Sequence, residues 1–545
     1  MPAARIPLSV ALLVALALGV TSAVGAPSAP TGLRGFELRP TEPVRHVFSR
    51  TPAFAWNPVR SASCYEFRLA TSRSFDDSSV VWSNVGKGSS AARSCAGPRR
   101  ITIPALALDL TLPWFTGRPY ALYAQVRAIT SRGPTAWSAP FGFNMRWEET
   151  PVPLPPRPGL VRWTPVEGAT SYEVWYPDIR RTIRTHTNVA DLREFYLFHD
   201  DPAWWATVRW RVRAVRQVLG TIPNGLPAVS YGPWSPEYAV RNPDLAPGKL
   251  QLQVAVSDVV SASWKGAPHR LMPALTFRGE GLGGSPKSLF RVYATTDRDC
   301  VNVVYRGSVV AGPAFAPRLS GPLELPESEE ELARAAAGVL PVGLSEKAKT
   351  FMADGTPVVS SETRADESAF ARVDLPDVDA RTTRYFWTVV PVGLEIDEVS
   401  GKIRYFDAQT PQDACQAGRV ATFAKRSSPV VAATGAPFVA GLAPTGRLLA
   451  SAGRIPTVYS TPLVAWRPVV GAASYEIQWS RSLYPWRVAG SKRTYATSAV
   501  LRLGPGLWHY RVRGLNPAQV GTPAMTWSQP ATVRVVAPRF RISRG

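Results

Sequence analysis

Residues 461–480 read TPLVAWRPVVGAASYEIQWS, and the pattern occurs twice earlier, as TPAFAWNPVRSASCYEFRLATS from Thr51 and GLVRWTPVEGATSYEVWYP from Gly159. In each copy Trp is followed by x-Pro-Val and then by Tyr-Glu. The step from Trp to Tyr is nine residues for Trp56/Tyr65, Trp163/Tyr172 and Trp466/Tyr475. Self-similarity at a fixed offset marks a repeated structural unit. The Tyr-Glu segment alternates apolar and polar residues, so Tyr475, Ile477 and Trp479 share one face of a strand.

Two further elements recur downstream. YAQVRAI at 123–129, RWRVRAV at 209–215 and HYRVRGL at 509–515 again alternate: Trp210, Val212 and Ala214 share one face, Arg209, Arg211 and Arg213 the other. After a turn comes AWS at 136–138, PWS at 233–235 and TWS at 526–528. Several short strands, punctuated by the chain's 52 prolines and 41 glycines, predict antiparallel β-sandwiches of about 100 residues each. The Trp strand, the Tyr strand and the x-V-x-A strand followed by W-S resemble fibronectin type III domains of the kind found in tandem in exported bacterial proteins. The resemblance implies an all-β chain of fibronectin type III/immunoglobulin-like sandwiches, and implies nothing specific about function.

The expected organisation is a signal peptide at 1–26 and units at 27–150, 151–243, 244–427 and 428–545. The third departs from the pattern. Trp264 stands for its early Trp without Pro-Val, FRVYATTD at 290–297 for its Tyr strand, and residues 370–392 for a strand, a corner and the next strand. Tyr385, two residues before Trp387, occupies the place of the fold's corner tyrosine, whose hydroxyl bonds back to the main chain. Leu122, Val208 and Trp508 stand there in the other units, which are expected to lack the feature. An insertion at 318–369 contains PESEEELARAAAG, acidic first and Ala/Arg-rich later, which predicts a short helix over 327–337. Linkers are expected at 152–158, 242–248 and 425–437, and their prolines suggest a short stiff rod.

Arg5 followed by the apolar run Ile6 to Val20 and small residues reads as a secretory signal, cleaved within about residues 23–26. The run is too short to span a bilayer. The expected location is extracellular or cell-surface associated. The four cysteines fall two in the first unit and two in the third, so Cys64–Cys95 and Cys300–Cys415 are the expected disulfides, in an oxidising compartment.

No G-x-S-x-G, H-E-x-x-H or Cys/His dyad is present, and no cofactor is called for. Asp374, Asp377 and Asp379 are too few for Ca²⁺ and read as a solvated turn. RGEGLGGSPKS at 278–288 fails the phosphate-loop spacing and reads as a flexible loop. His186 and His199 do not make a metal pair. Glu66, Glu173 and Glu476 face outward from the Tyr strand, and Arg127, Arg213 and Arg513 from the V-R strand. The resemblance makes these strands neighbours, so Glu–Arg pairs are expected, with the arginines on Trp137, Trp234 and Trp527 as in the Arg/Trp ladder of cytokine-receptor fibronectin-like domains.

Charge carries the functional expectation. The net charge is +22; residues 428–545 hold 14 basic residues and one acid, Glu476. Within them Arg481, Arg487, Lys492 and Arg493 interleave with Tyr484, Trp486 and Tyr495, and Arg539, Arg541 and Arg544 follow near the C-terminus. A single-sign surface attracts polyanions. Arg481, Trp486, Arg487, Lys492 and Arg493 are therefore the candidate binding residues. The candidate partners are anionic cell-envelope polymers or acidic polysaccharides, with phospholipid headgroups and extracellular nucleic acid as further polyanions of that compartment. No recognition helix suggests sequence-specific nucleic-acid binding. The chain thus reads as an exported, non-catalytic spacer or adhesion protein. The rival readings are a glycan-processing enzyme with its site in the third unit and a protein-binding scaffold.

Overall fold

A computed structural model describes residues 28–37, 46–85, 95, 99–145, 150–157, 160–178, 180–191, 207–241, 251–255, 268–278, 289–311, 314–316, 325–337, 374–379, 381–427, 429–431, 449–451, 455–458 and 461–537. The signal segment, Trp264, His199, most of the 278–288 loop, residues 338–369 of the insertion, the 242–248 linker and Arg539, Arg541 and Arg544 lie outside these.

The described chain is built of largely antiparallel sheets, as the alternation predicts; among the described strands, Val47–Phe48 pairs in parallel with Phe141–Met145 and Thr457–Val458 with Ala531–Val535. In the first unit Arg34–Phe36, Ala53–Ala55 and Ala105–Ala107 form one sheet; Val47–Phe48, Phe141–Met145, Leu122–Thr130, Ala62–Ala70 and Val80–Ser83 form the other in that order. The second unit opposes Pro153–Arg157, Leu160–Trp163 and Val189–Asp191 to a sheet ordered Arg181–Thr185, Ser171–Tyr176, Thr207–Gln217, Val229–Tyr231. In the third, Gln251–Ala255, Ala274–Arg278 and Ala314–Phe315 face Val303–Ala311, Leu289–Thr295, Tyr385–Ile396 and Ile403–Asp407. The fourth sets a two-stranded sheet, Leu463–Ala465 with Ser498–Val500, against six strands that include Ser474–Ser480, Gly490–Thr494, Gly506–Leu515 and Ala531–Val535.

The repeated residues have a shared structural reason. Trp56, Trp163 and Trp466 are buried, and each meets its Tyr edge-on, with ring centroids 5.2, 5.5 and 5.4 Å apart. The tyrosine hydroxyl then accepts the N–H of the Val in x-Pro-Val: Val59 at 3.1 Å, Val166 at 2.9 Å and Val469 at 3.2 Å. The nine-residue offset is the spacing that lets one side chain pack on Trp and satisfy a main-chain donor beyond it. The serine of W-S also serves the main chain. Ser138, Ser235 and Ser528 each accept the N–H of Val126, Val212 and Val512 through Oγ and return their own N–H to the same residue's carbonyl.

In the third unit the Tyr385 hydroxyl donates to the Pro376 carbonyl at 2.9 Å, the expected corner bond. At the matching place in the fourth unit the Trp508 indole N–H donates to the Gly504 carbonyl at 2.7 Å, so that unit closes its corner with a tryptophan. The predicted insertion helix is present as Glu329–Ala336, with three glutamates in its first turn and Arg334 in its last, each sign at the favourable end of the helix dipole. A second helix, Pro411–Gln416, lies outside the expected elements. It opens with a capping box from Thr410 and Asp413, and carries Cys415. Both disulfides pair as expected, Cys64–Cys95 and Cys300–Cys415, closing 31 and 115 residues. Loop entropy makes such links worth about 4 and about 5 kcal/mol.

The stiff rod is not what forms. VPLPPRP, read as a linker, supplies the first strand of the second unit, Pro153–Arg157, at a sheet edge where proline's missing N–H is harmless. Lys425 and Ser427, read as the start of another linker, are buried. The units close on one another. Phe36, Ala53, Ala55 and Ala105 of the first share one apolar cluster with Leu463, Val464, Ala465 and Ala499 of the fourth. Trp114 of the first unit enters the core of the second, and Leu160 and Val189 of the second pack with Ala274 and Ala316 of the third. Arg50 ties three units together. Its Nε reaches Glu167 at 2.6 Å, one Nη reaches Thr497 at 2.6 Å and the other Glu37 at 3.5 Å. Gly168, at φ +86°, lies where a Cβ would strike the Ser49 carbonyl, so the first and second units meet there only because the residue is glycine.

The expected solvated turn at Asp374–Asp379 is also corrected. Asp379 is exposed and holds a turn through the Arg381 and Thr382 N–H groups. Asp374 is buried at the junction of the third and fourth units. It accepts from Met272 N at 2.6 Å and Asn516 Nδ2 at 2.6 Å, and lies 3.1 Å from Lys425 Nζ. Asp377 sits 3.2 Å from the same ammonium and takes Thr526 Oγ at 2.7 Å. Lys425, 0% exposed, offsets one of the two carboxylate charges, and donors from Met272, Asn516, Ser427 and Thr526 satisfy the remaining acceptor oxygens. His186 of the second unit faces this group; burial lowers its pKa, and the nearby Asp374 charge opposes that.

Candidate functional site

The three repeated Glu–Arg–Trp sets form as expected. Glu66 faces Arg127, Glu173 faces Arg213 and Glu476 faces Arg513 across adjacent strands, each with an ion pair. The guanidinium carbons of Arg127, Arg213 and Arg513 lie 4.7, 4.4 and 4.4 Å from the ring centroids of Trp137, Trp234 and Trp527. Each tryptophan takes a second arginine on its ring: Arg68 at 4.1 Å, Arg211 at 4.9 Å and Arg511 at 4.3 Å. The R-V-R alternation at 211–213 and 511–513 carried that signal. The acids are less outward than expected. Glu173 is 1% exposed because Arg213 and Arg184 both close over it, whereas Glu476 keeps 22%.

In the fourth unit the ladder extends to a second tryptophan. Arg511 lies between Trp527 and Trp486, 4.5 Å from the latter. Burial, and then the neighbouring Arg513 charge, lower the Arg511 pKa, while Glu476 opposes. One candidate binding residue, Trp486, is therefore part of the ladder.

The other four divide. Lys492 and Arg493 are consecutive in strand Gly490–Thr494, so they point to opposite faces. Arg493 stands opposite Glu476 and donates to Ser474 Oγ at 3.3 Å from Nε, beside the ladder. Lys492 turns toward the first unit, 3.8 Å from Asp109. Arg481 lies over the Trp508 ring at 4.0 Å, with its side chain exposed, and Gly506 at φ +128° leaves the room it occupies. Arg487 is exposed in the loop between strands Ser474–Ser480 and Gly490–Thr494. Thus Arg481 and Arg487 share an outward loop, Trp486 and Arg493 join the ladder face, and Lys492 belongs to the contact with the first unit. Arg467 and Arg534 are exposed elsewhere on the same unit.

The geometry gives a positively charged surface with little internal neutralisation. Glu476, the one acid of residues 428–545, is committed to Arg513 at 2.6 Å. Among the described residues no group of three or more His, Cys, Asp or Glu could hold a metal, and no helix is long and apolar enough to cross a membrane. The third-unit carboxylates Asp374 and Asp377 converge on a lysine rather than on a cleft.

No protein-family model matches the sequence, and no curated protein matches it. Among solved structures, the FN1-FN3 domains of chicken CNTN1 align with 71% of this chain and 99% of that one, at 10% identity and a TM-score of 0.15. A superposition that poor carries no argument. The fibronectin-like character rests on the paired sheets, their strand order and the corner tyrosine.

Proposed function

We propose that the chain is an exported, non-catalytic binding protein of the cell surface or its surroundings, whose fourth unit holds an anionic envelope polymer or acidic polysaccharide. The observation that carries this reading is that the unit's one acid is spent inside the Arg/Trp ladder while Arg481 and Arg487 stand outward on one loop. Two disulfides accord with an oxidising compartment. Closure of the four units on one another favours a binding module over an extended spacer.

The test is retention of the full chain on immobilised heparin, as an acidic polysaccharide, across a salt series. Retention should fall steeply with salt, and Arg481→Gln/Arg487→Gln should weaken it and flatten the slope. An unchanged slope would mean that these two residues make no ionic contact.

A further inference from the structure

The loop that carries Arg481 and Arg487 has a second property that polyanion binding does not use. Within six residues it exposes Leu483 (54%), Tyr484 (92%) and Val488 (53%). Leu507, also exposed, lies between Gly506 and Trp508, the residues against which Arg481 rests. Large apolar side chains belong inside, and a contiguous exposed group of them marks a contact surface. A charged polysaccharide gives Leu483 and Val488 nothing to bind, because an aliphatic side chain has no donor and no flat face for a sugar ring.

We infer that residues 481–488, with Leu507, form an interfacial anchor that seats the fourth unit on a bilayer containing anionic lipid. The composition fits that boundary layer by layer. Leu483 and Val488 can leave water for the acyl region. Tyr484 is apolar along its ring and polar at its tip, which suits the headgroup level. Arg481 precedes them and Arg487 lies among them, cations that suit lipid phosphates, and Glu476 is tied to Arg513, so no acid of residues 428–545 is left to oppose approach. The inference rests on the polyanion reading of this unit and names a lipid surface as a partner of the same loop.

The experiment is flotation of the full chain with vesicles of phosphatidylcholine alone and with phosphatidylglycerol added, run beside heparin retention. The wild-type chain should float with the phosphatidylglycerol vesicles. The triple variant Leu483→Ser/Tyr484→Ser/Val488→Ser, which leaves every charge in place, should lose at least about tenfold in vesicle partitioning while keeping its heparin retention. Undiminished flotation of the variant overturns the anchor, as does loss of heparin retention together with flotation. A wild-type chain that holds heparin but ignores the vesicles also overturns it and leaves the polyanion reading standing. A chain that binds neither removes both.

Discussion

Replacing Lys425 by Met tests whether the junction of the third and fourth units is held by charge. The ammonium is fully buried; it donates to the Leu375 carbonyl at 2.5 Å and Gln519 at 3.4 Å and lies 3.1 Å from Asp374 and 3.2 Å from Asp377. At an effective dielectric of about 20, each carboxylate contact is worth about 5 kcal/mol gross. Desolvation of three charges removes much of that. Deleting the ammonium alone leaves two buried carboxylates without a cation, a change that costs about 3–5 kcal/mol. The lower end applies, because Met272 N, Asn516 Nδ2, Ser427 and Thr526 still donate to the two acids. The assay is amide hydrogen exchange at Val520, whose N–H bonds the Asp374 carbonyl at 2.7 Å. About 3 kcal/mol should appear as roughly hundredfold faster exchange there. The deficit should also depend on pH. Burial pushes the Asp377 pKa up, but Lys425 and the hydrogen bonds of Ser427 and Thr526 outweigh it and hold the pKa below the ordinary 3.8. A depressed folded-state pKa contributes stability that is complete above 3.8 and lost as pH falls through the lower folded value. In Lys425→Met, Asp377 loses the cation that holds its pKa down, so the gap to wild type should be widest near neutrality and narrow below about pH 4. Val520 exchange within a few-fold of wild type at neutral pH would refute the argument.

Two other substitutions probe different joints. Glu173→Gln should cost about 2–3 kcal/mol in urea unfolding and Glu476→Gln about 1 kcal/mol or less, because the first acid is buried between two arginines and the second is part-exposed with one; equal costs would show that burial does not set the ladder's strength. Arg50→Met removes the bonds to Glu37, Glu167 and Thr497 together, and should raise the radius of gyration measured by X-ray scattering as the first, second and fourth units loosen; unchanged scattering would assign their closure to the apolar cluster alone.

Whatever repeats along the chain was legible in it. Trp, Tyr, the V-R strand and W-S stand at fixed offsets because each is tied to another residue of the same unit, and a bond inside a repeat reproduces itself with the repeat. The corner bond of Tyr385 does not repeat in the other units; it was legible through the fibronectin-like resemblance, which places a tyrosine two residues before Trp387. Bonds between units occur once each and leave no period. Arg50 looks like one arginine among many, and Asp374 reads as a turn residue until Asn516 and Lys425 are brought to it from positions 142 and 51 residues away. The linker reading failed similarly: proline content signals stiffness, but VPLPPRP meets Leu160–Trp163 as a strand partner, and a stiff segment can serve as a sheet edge. Of the candidate site, the loop and its arginines were visible. The division of Lys492 from Arg493 follows from strand alternation and could have been drawn from the period alone.

The ladder also bears on whether the charge of the fourth unit is a by-product of composition. The fold uses one glutamate per repeated unit, the acid facing the V-R arginine. Residues 27–150 and 151–243 each hold eight acids, so each keeps seven beyond that use. Residues 428–545 keep none beyond Glu476. A drift toward arginine would add bases in all units, but would not strip one unit of every acid except the one its sheet requires. Nor does the ladder need Arg481 or Arg487: it is complete with Arg513, Arg511, Trp527 and Trp486, and Arg481 packs on Trp508 instead. What the ladder demands of this unit is one acid and two arginines, so neither Arg487 nor the absence of further acids follows from it.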